Sequence, residues 1–304
     1  MRIVFPSTWV NPKRFEDILL NCGFALMEER KFEFVFPVGC RLMIDAGLRV
    51  LSLIEQLVYD GKEVKLIFNQ DLFGYLDRMG FFLVLNPSIE VFPERPRISM
   101  FDLHCGENQN LVEISSLPPG GESKVKTLPG KLAGSIVSVL GRTMSLPRGF
   151  ETEMFTVFSE LIGNYFEHSE SKTPGYVVAQ TYPNAKNLHI AVSDSGLGIL
   201  STIRKARSKE FRGKSDTELI LEVFNEGVSR FGTNVGRSCG LTRLGQISIK
   251  YAADLTIRMP GCQVYLRPGG TKMEGNYAYF RSELGALRGT HMCFKFALDK
   301  SGAL

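Results

Sequence analysis

Glu160, Asn164 and His168 are spaced by four in a stretch whose apolar residues, Met154, Val157, Phe158, Leu161, Ile162 and Tyr165, recur at helical spacing. On an α-helix that spacing lines up a carboxylate, an amide and an imidazole as one polar stripe beside an apolar face. Such a stripe alone is a solvated surface. Interest comes from three motifs downstream. Leu188-His189-Ile190-Ala191-Val192-Ser193 reads as a strand and runs into Asp194-Ser195-Gly196-Leu197-Gly198-Ile199, a carboxylate followed by alternate glycines. Ser201 stands where a dinucleotide fingerprint needs its third glycine, so that motif is not completed. Gly236-Arg237-Ser238-Cys239-Gly240-Leu241 then precedes a helical run through Leu244 and Ile247. Backbone N–H groups at such a helix start favour an anion. Finally, Arg288-Gly289-Thr290 leads into an alternating strand from Met292 to Ala297.

The elements that must position these residues are legible from periodicity. A helix is predicted from Glu151 to Ser169, with another over Leu132 to Leu140 before it. Two strands, Tyr176 to Tyr182 and Asn187 to Ser193, are joined by Pro183-Asn184-Ala185-Lys186. The first third alternates β and α: Arg2 to Phe5, a helix near Arg14 to Asn21, a strand from Lys31 to Pro37, a helix from Leu42 to Tyr59, a strand from Glu63 to Phe68 and a helix from Asp71 to Met79 closed by Gly80. In the Leu42 to Tyr59 helix, Val50, Leu53, Ile54 and Leu57 share one face, and Glu55 and Gln56 are expected to turn outward. The fold class is therefore α/β. Paired prolines and glycines from Leu117 to Lys124 mark a linker, dividing the chain into domains at 1–117 and 128–304 with 118–127 between. A Walker loop at Gly130-Lys131 fails because Val125 occupies the position of its first glycine.

The four motifs, in this order, resemble the GHKL superfamily, which includes histidine kinases, anti-sigma serine kinases, gyrase-type ATPases, heat-shock chaperones and mismatch-repair ATPases. The resemblance covers residues 128–298 and implies a GHKL-type α/β sandwich with a mixed sheet that binds ATP and Mg2+. Residue by residue, it implies that Asn164 binds magnesium and that Glu160 orients and deprotonates the attacking water. Asp194 matches the acceptor for the adenine amino group, and Gly196 and Gly198 match glycines that let the backbone approach the nucleotide. Gly236, Gly240 and Leu241 match the glycine box at the triphosphate, Thr290 the threonine near the adenine, and His168 a basic residue in reach of phosphate. Ser238 departs from the pattern where many relatives have glycine. The polar segment between Ile199 and Gly236, with Arg204, Lys205, Arg207, Lys209, Arg212 and Lys214, is read as an ATP lid, to which Phe231-Gly232-Thr233-Asn234 adds a polar contact.

The front domain resembles a STAS-type α/β module through Met43-Ile44-Asp45-Ala46-Gly47-Leu48 and the elements that follow. Relatives carry a phosphorylatable Ser or Thr where this chain has Ala46. The resemblance then implies a docking or scaffold element and not a phosphorylated switch.

Composition narrows the classes further. No apolar run approaches the roughly 18 to 20 residues that span a bilayer, and the start, through Pro6, does not form a signal-peptide core, so a cytoplasmic protein without membrane attachment is expected. The net charge of +4 comes from dispersed residues and only one local cluster, Arg204 to Lys209, so a nucleic-acid partner is not indicated. Six cysteines, without a Cys-x-x-Cys pair or histidines at zinc spacing, read as reduced thiols. Slow Mg2+-dependent ATP hydrolysis that drives a conformational or partner-binding switch is the leading expectation, with a protein partner or a homodimer as the responding element. A serine or histidine protein kinase is the alternative; His104, the sole histidine ahead of the cleft motifs, sits in a poorly helical Asp102-Leu103-His104-Cys105-Gly106 setting, which disfavours transfer within the chain. A nucleotide sensor without turnover is the third reading.

Overall fold

A computed structural model describes residues 1–104, 110–121, 125–142, 145–206, 209, 211, 213–226 and 240–297. The fold is α/β, with parallel and antiparallel pairing segregated into separate sheets.

The first sheet is parallel. Its strands are β1 (Arg2–Val4), then, after the short β2 (Trp9–Val10) and helices α1 (Pro12–Cys22) and α2 (Ala25–Glu28), β3 (Lys31–Phe36). A two-residue strand, β4 (Arg41–Leu42), pairs with β2 and leads into α3 (Ile44–Tyr59). The series closes with β5 (Glu63–Phe68), helices α4 (Gln70–Arg78) and α5 (Phe81–Val84), and β6 (Glu90–Phe92). The order β1-β3-β5-β6 advances in one direction only. Right-handed crossovers in a sheet wound one way fall on a single face. The burial pattern agrees: Phe32, Phe34, Phe36, Val64, Leu66 and Phe68 are buried beneath the helices, and the alternate residues point the other way.

The second sheet follows α6 (Met100–His104). It is built from β7 (Leu111–Leu117), β8 (Gly175–Tyr182), β9 (Asn187–Ser193), β10 (Asp254–Met259), β11 (Cys262–Pro268), β12 (Met273–Phe280) and β13 (His291–Ala297), in the order β12-β11-β10-β13-β9-β8-β7. All six pairings are antiparallel, which corrects the expectation of a mixed sheet here. Strand β7 lies before the Pro-Gly segment yet pairs with β8, so that segment joins two elements of one layer. Helices α7 (Leu128–Gly141), α8 (Phe150–His168), α9 (Ile199–Ala206), α10 (Asp216–Glu226) and α11 (Gly240–Lys250) supply the apolar cover of one face, in a core that includes Leu132, Met154, Phe158, Ile190, Leu244 and Phe294. The opposite face contributes Tyr176, Val178, Ala191 and Cys293 to the core of the front layer.

Helix α3 lies between the two sheets, and every residue from Ile44 to Leu57 is buried. Its first N–H donates to Tyr182 Oη at 3.2 Å. Ala46 is fully enclosed, so the position compared above with a phosphorylation site has no access to solvent. A polar stripe at Asp45, Arg49, Ser52 and Gln56, spaced by four, three and four, runs along the helix. Gln56 and Glu55 are therefore not turned outward as periodicity predicted: they are 4% and 5% exposed. The inversion arises because the second sheet covers the flank a one-sheet protein would leave wet. Glu55 accepts from the Asn86 N–H at 2.9 Å, and burial raises its pKa. Arg49 donates to Glu16 (3.1 Å) and Gln263 (2.7 Å), and Arg258 Nε donates to the same Glu16 carboxylate at 3.1 Å, forming a buried Arg-Glu-Arg cluster among α1, α3 and β10. Among the described residues no helix is long and apolar enough to cross a membrane.

Candidate functional site

Helix α8 owes its position to its apolar face. Met154, Val157, Phe158 and Leu161 are 0% to 1% exposed against the second sheet, which leaves Glu160 and Asn164 on its flank, one turn or ~6 Å of axial rise apart. His168 is the last residue of this helix, and its side chain lies outside the described residues. Beyond the helix, Ser169 anchors the glycine loop: its carbonyl accepts the Leu197 N–H at 2.8 Å. A Cβ on Gly196 would overlap that carbonyl, so only glycine permits the approach.

Strands β9 and β13 are antiparallel neighbours with Ser193 opposite His291. That register brings the residue after one strand, Asp194, against the residue before the other, Thr290. The Asp194 N–H donates to the Thr290 carbonyl at 2.9 Å. In return, Asp194 Oδ1 accepts the Gly196 N–H at 2.7 Å and the Thr290 N–H at 3.3 Å. Burial pushes the Asp194 carboxyl up to about 6, with the hydrogen bonds from Gly196 and Thr290 opposing the rise. Gly289 (φ +95°) precedes this pair, and a Cβ there would overlap the Asp194 carbonyl. Gly198 (φ +83°) ends the loop, its carbonyl accepting the Thr202 hydroxyl at 2.8 Å in the first turn of α9.

These groups line one cleft. Leu161, Val192, Ile199 and Met292 form apolar walls, and Asn164, Asp194 and Thr290 supply the polar groups, around a cavity of about 10 Å3, the room of about one water. Apolar walls with a few convergent polar groups are the usual lining of a ligand site, but at this size the closed cleft admits a water, and a ring enters only once the walls part. The Asn164 Nδ2 is buried without a hydrogen-bond partner. An unsatisfied buried amide costs about 1–3 kcal/mol, a penalty that a ligand group or an ordered water in the cleft would relieve.

One turn before Asn164 on α8 and outside that lining, Glu160 faces the start of α11. A Cβ on Gly240 would overlap the Glu160 carboxylate, so this glycine is what lets the helix start and the carboxylate meet. Arg243, one turn into α11, pairs with Glu160 at 3.6 Å. Partial burial raises the Glu160 pKa, with Arg243 opposing and Glu167 adding to the shift. A half-buried carboxylate at the N-terminal turn of a helix is suited to hold a water beside an anion bound at that turn. Leu241 is half-buried and packs against the core. Gly236, Ser238, Arg207, Arg212 and Phe231 to Asn234 lie outside the described residues; of the basic lid residues, Arg204 pairs with Asp216 at 2.7 Å and Lys214 with Glu222 at 2.5 Å.

Sequence reasoning missed the residues behind the cleft. Gln56 Nε2 donates to Ser195 Oγ (2.9 Å) and to the Arg288 carbonyl (3.1 Å), while its Oε1 accepts the Arg288 N–H at 3.0 Å. One turn earlier, Ser52 bonds Ser193 at 2.9 Å, and Ser193 bonds His291 Nδ1. Burial beside Arg258 and Arg49 holds the His291 pKa well down, so its ring is neutral. With Nε2–H donating to the Arg288 carbonyl at 2.9 Å, Nδ1 must accept from Ser193, and Ser52 must donate to Ser193. The 45, 49, 52, 56 spacing was the available signal for this contact. Comparisons with protein-family models, curated proteins and solved structures find no match to this chain.

Proposed function

We propose that the cleft, closed to about one water's volume here, opens to bind the adenine of ATP at Asp194 and Thr290, with the phosphates directed toward Glu160 and the start of α11, and that the chain hydrolyses ATP slowly. The observation that carries this reading is the buried Asp194 carboxyl, held by two N–H groups on Oδ1 and facing the same cleft as the unpartnered Asn164 Nδ2. A carboxylate in apolar surroundings gains from an amino donor such as the adenine N6 group. By the resemblance Asn164 would hold Mg2+, which would supply charge neutralisation at the phosphates; its unpartnered Nδ2 is a donor and suits a phosphate oxygen, not the cation. Glu160 accepts the proton of the attacking water, and its raised pKa brings it closer to the range of a working base. The front layer is bonded through Gln56 to both loops that frame Asp194, which supports a switch in which occupancy of the cleft reaches α3.

The test is incubation of the purified protein with γ-labelled ATP and Mg2+. Free phosphate from the wild type, lost in Glu160→Ala while ATP binding persists, is the expected outcome. Label retained on the chain or passed to a partner protein would replace hydrolysis by kinase chemistry. Binding unaffected by Asp194→Asn would remove the adenine site altogether.

A further inference from the structure

We propose that the open face of the parallel sheet is the interface between two copies of this chain, related by a two-fold axis running along the strands. Parallel sheets are almost always covered on both faces, yet here the one-way winding puts the covering helices on one side. The other side presents three cross-strand rows in register. Lys31 lies opposite Glu63. Next comes Arg2-Glu33-Lys65-Glu90, across all four strands, with ion pairs of 3.4 Å between Arg2 and Glu33 and 2.5 Å between Lys65 and Glu90. The third row is wholly apolar: Val4-Val35-Ile67-Phe92, with Val4 57% and Phe92 60% exposed. The alternating charges alone would be an ordinary solvated face. A continuous apolar row across four strands is not accounted for by solvation.

The charge order selects the occupant. An axis along the strands lays β1 over the partner's β6 and β3 over the partner's β5, and it keeps each row at its own height. Arg2 then meets the partner's Glu90, Glu33 the partner's Lys65, Lys31 the partner's Glu63, Val4 the partner's Phe92 and Val35 the partner's Ile67. Every charged group meets its opposite, and every apolar group meets an apolar one. An axis across the strands would set Arg2 on Arg2 or the charged row on the apolar row, both unfavourable. Four strands at ~4.8 Å and five residues at ~3.3 Å give a face roughly 20 by 17 Å in plan. That footprint falls short of the ~800 Å2 of surface per partner in standard complexes, so the dimer is weak, reversible and sensitive to salt.

Sedimentation velocity from low to high micromolar protein tests this, with no nucleotide present, so that the outcome is independent of the ATP reading. Wild type is expected to dimerise with concentration and to dissociate as salt rises. Glu33→Lys and Lys65→Glu should each weaken the dimer by at least about tenfold, because the swapped residue meets a like charge. Mixing the two variants should restore dimerisation, since Lys at 33 then meets Glu at 65 of the other chain; a purely intrachain role for these charges would give no such rescue. Should either swap unfold the protein, as read by circular dichroism, Val4→Lys on the exposed edge strand is the substitute disruption, with the same tenfold loss expected. A wild type monomeric at all concentrations, single variants that dimerise like wild type, or a mixture that stays monomeric would each overturn the proposal.

Discussion

Gln56 and Ser195 are 139 positions apart in the chain and joined by a 2.9 Å hydrogen bond between Gln56 Nε2 and Ser195 Oγ. The same amide brackets Arg288 on both its N–H and its carbonyl. One buried side chain of the front layer thus ties together the loop that carries Asp194 and the loop that carries Thr290, from the side opposite the cleft. Replacing Gln56 by Ala leaves the Arg288 N–H without its partner, a cost of about 1–3 kcal/mol in stability. ATP affinity, read by calorimetric titration, should fall by about tenfold without any change to a residue lining the cleft. A control of matched destabilisation in the same helix, Leu53→Ala, should leave affinity unchanged; an equal loss in both variants would reduce Gln56 to a packing role.

Asp194 makes stability and binding depend on pH in opposite directions. Its pKa is raised from 3.8 to about 6 by burial. The stability it contributes is therefore present below about pH 4 and lost as pH rises through about 6, by on the order of 3 kcal/mol. A ligand amino group prefers the ionised carboxylate, so ATP affinity should fall by up to about tenfold per pH unit below about 6. Binding titrations and urea melts between pH 4 and 8, with Asp194→Asn as the reference that lacks both trends, check the two signs together.

Asp194→Asn retains an oxygen to accept the Gly196 and Thr290 N–H groups and loses the negative charge. Because the charge is buried, stability at neutral pH should rise or hold. ATP binding should weaken by about 10- to 100-fold, the loss of one charge-assisted hydrogen bond. Thermal melts and nucleotide titration on the same sample separate the two effects.

Gly240→Ala places a methyl group against the Glu160 carboxylate. Either the carboxylate rotates away or α11 moves outward, and both separate the carboxylate from the helix start. Phosphate release should fall by about 10²-fold or more, the contribution typical of a general base, with nucleotide binding reduced less. Retained turnover would mean that Glu160 is not the base.

Glu16→Ala removes the carboxylate that Arg49 and Arg258 share and leaves two guanidinium groups buried without their counter-ion. The expected destabilisation is about 3–5 kcal/mol, read as a lowered melting temperature. Glu16→Gln, which preserves the acceptor oxygen and volume, should recover part of it.

Periodicity and punctuation were enough to place several elements. The apolar spacing in α8 placed Glu160 and Asn164 on its flank, as found. Gly80, read as the close of a helix, stands just past α4 at a left-handed position with φ of +76°. These signals are local: they depend on which side chains share one helix face and on which residues tolerate positive φ. Strands β10 to β12 went unread, although Leu255, Ile257 and Met259 alternate with polar residues, and they extend the second sheet by three strands beyond β13.

The amino-acid sequence by itself determined the α/β class, the helix carrying Glu160 and Asn164, and the glycine positions around Asp194, because each follows from spacing within a few residues. Only the tertiary structure decided that α3 is buried from Ile44 to Leu57, that Gln56 braces the Asp194 loop, and that Val4 and Phe92, at the two ends of one apolar row, stay exposed. Those relations join residues tens to hundreds of positions apart. Local periodicity records only that a side chain is polar or apolar; which surface meets it is set by the stacking and winding of the sheets.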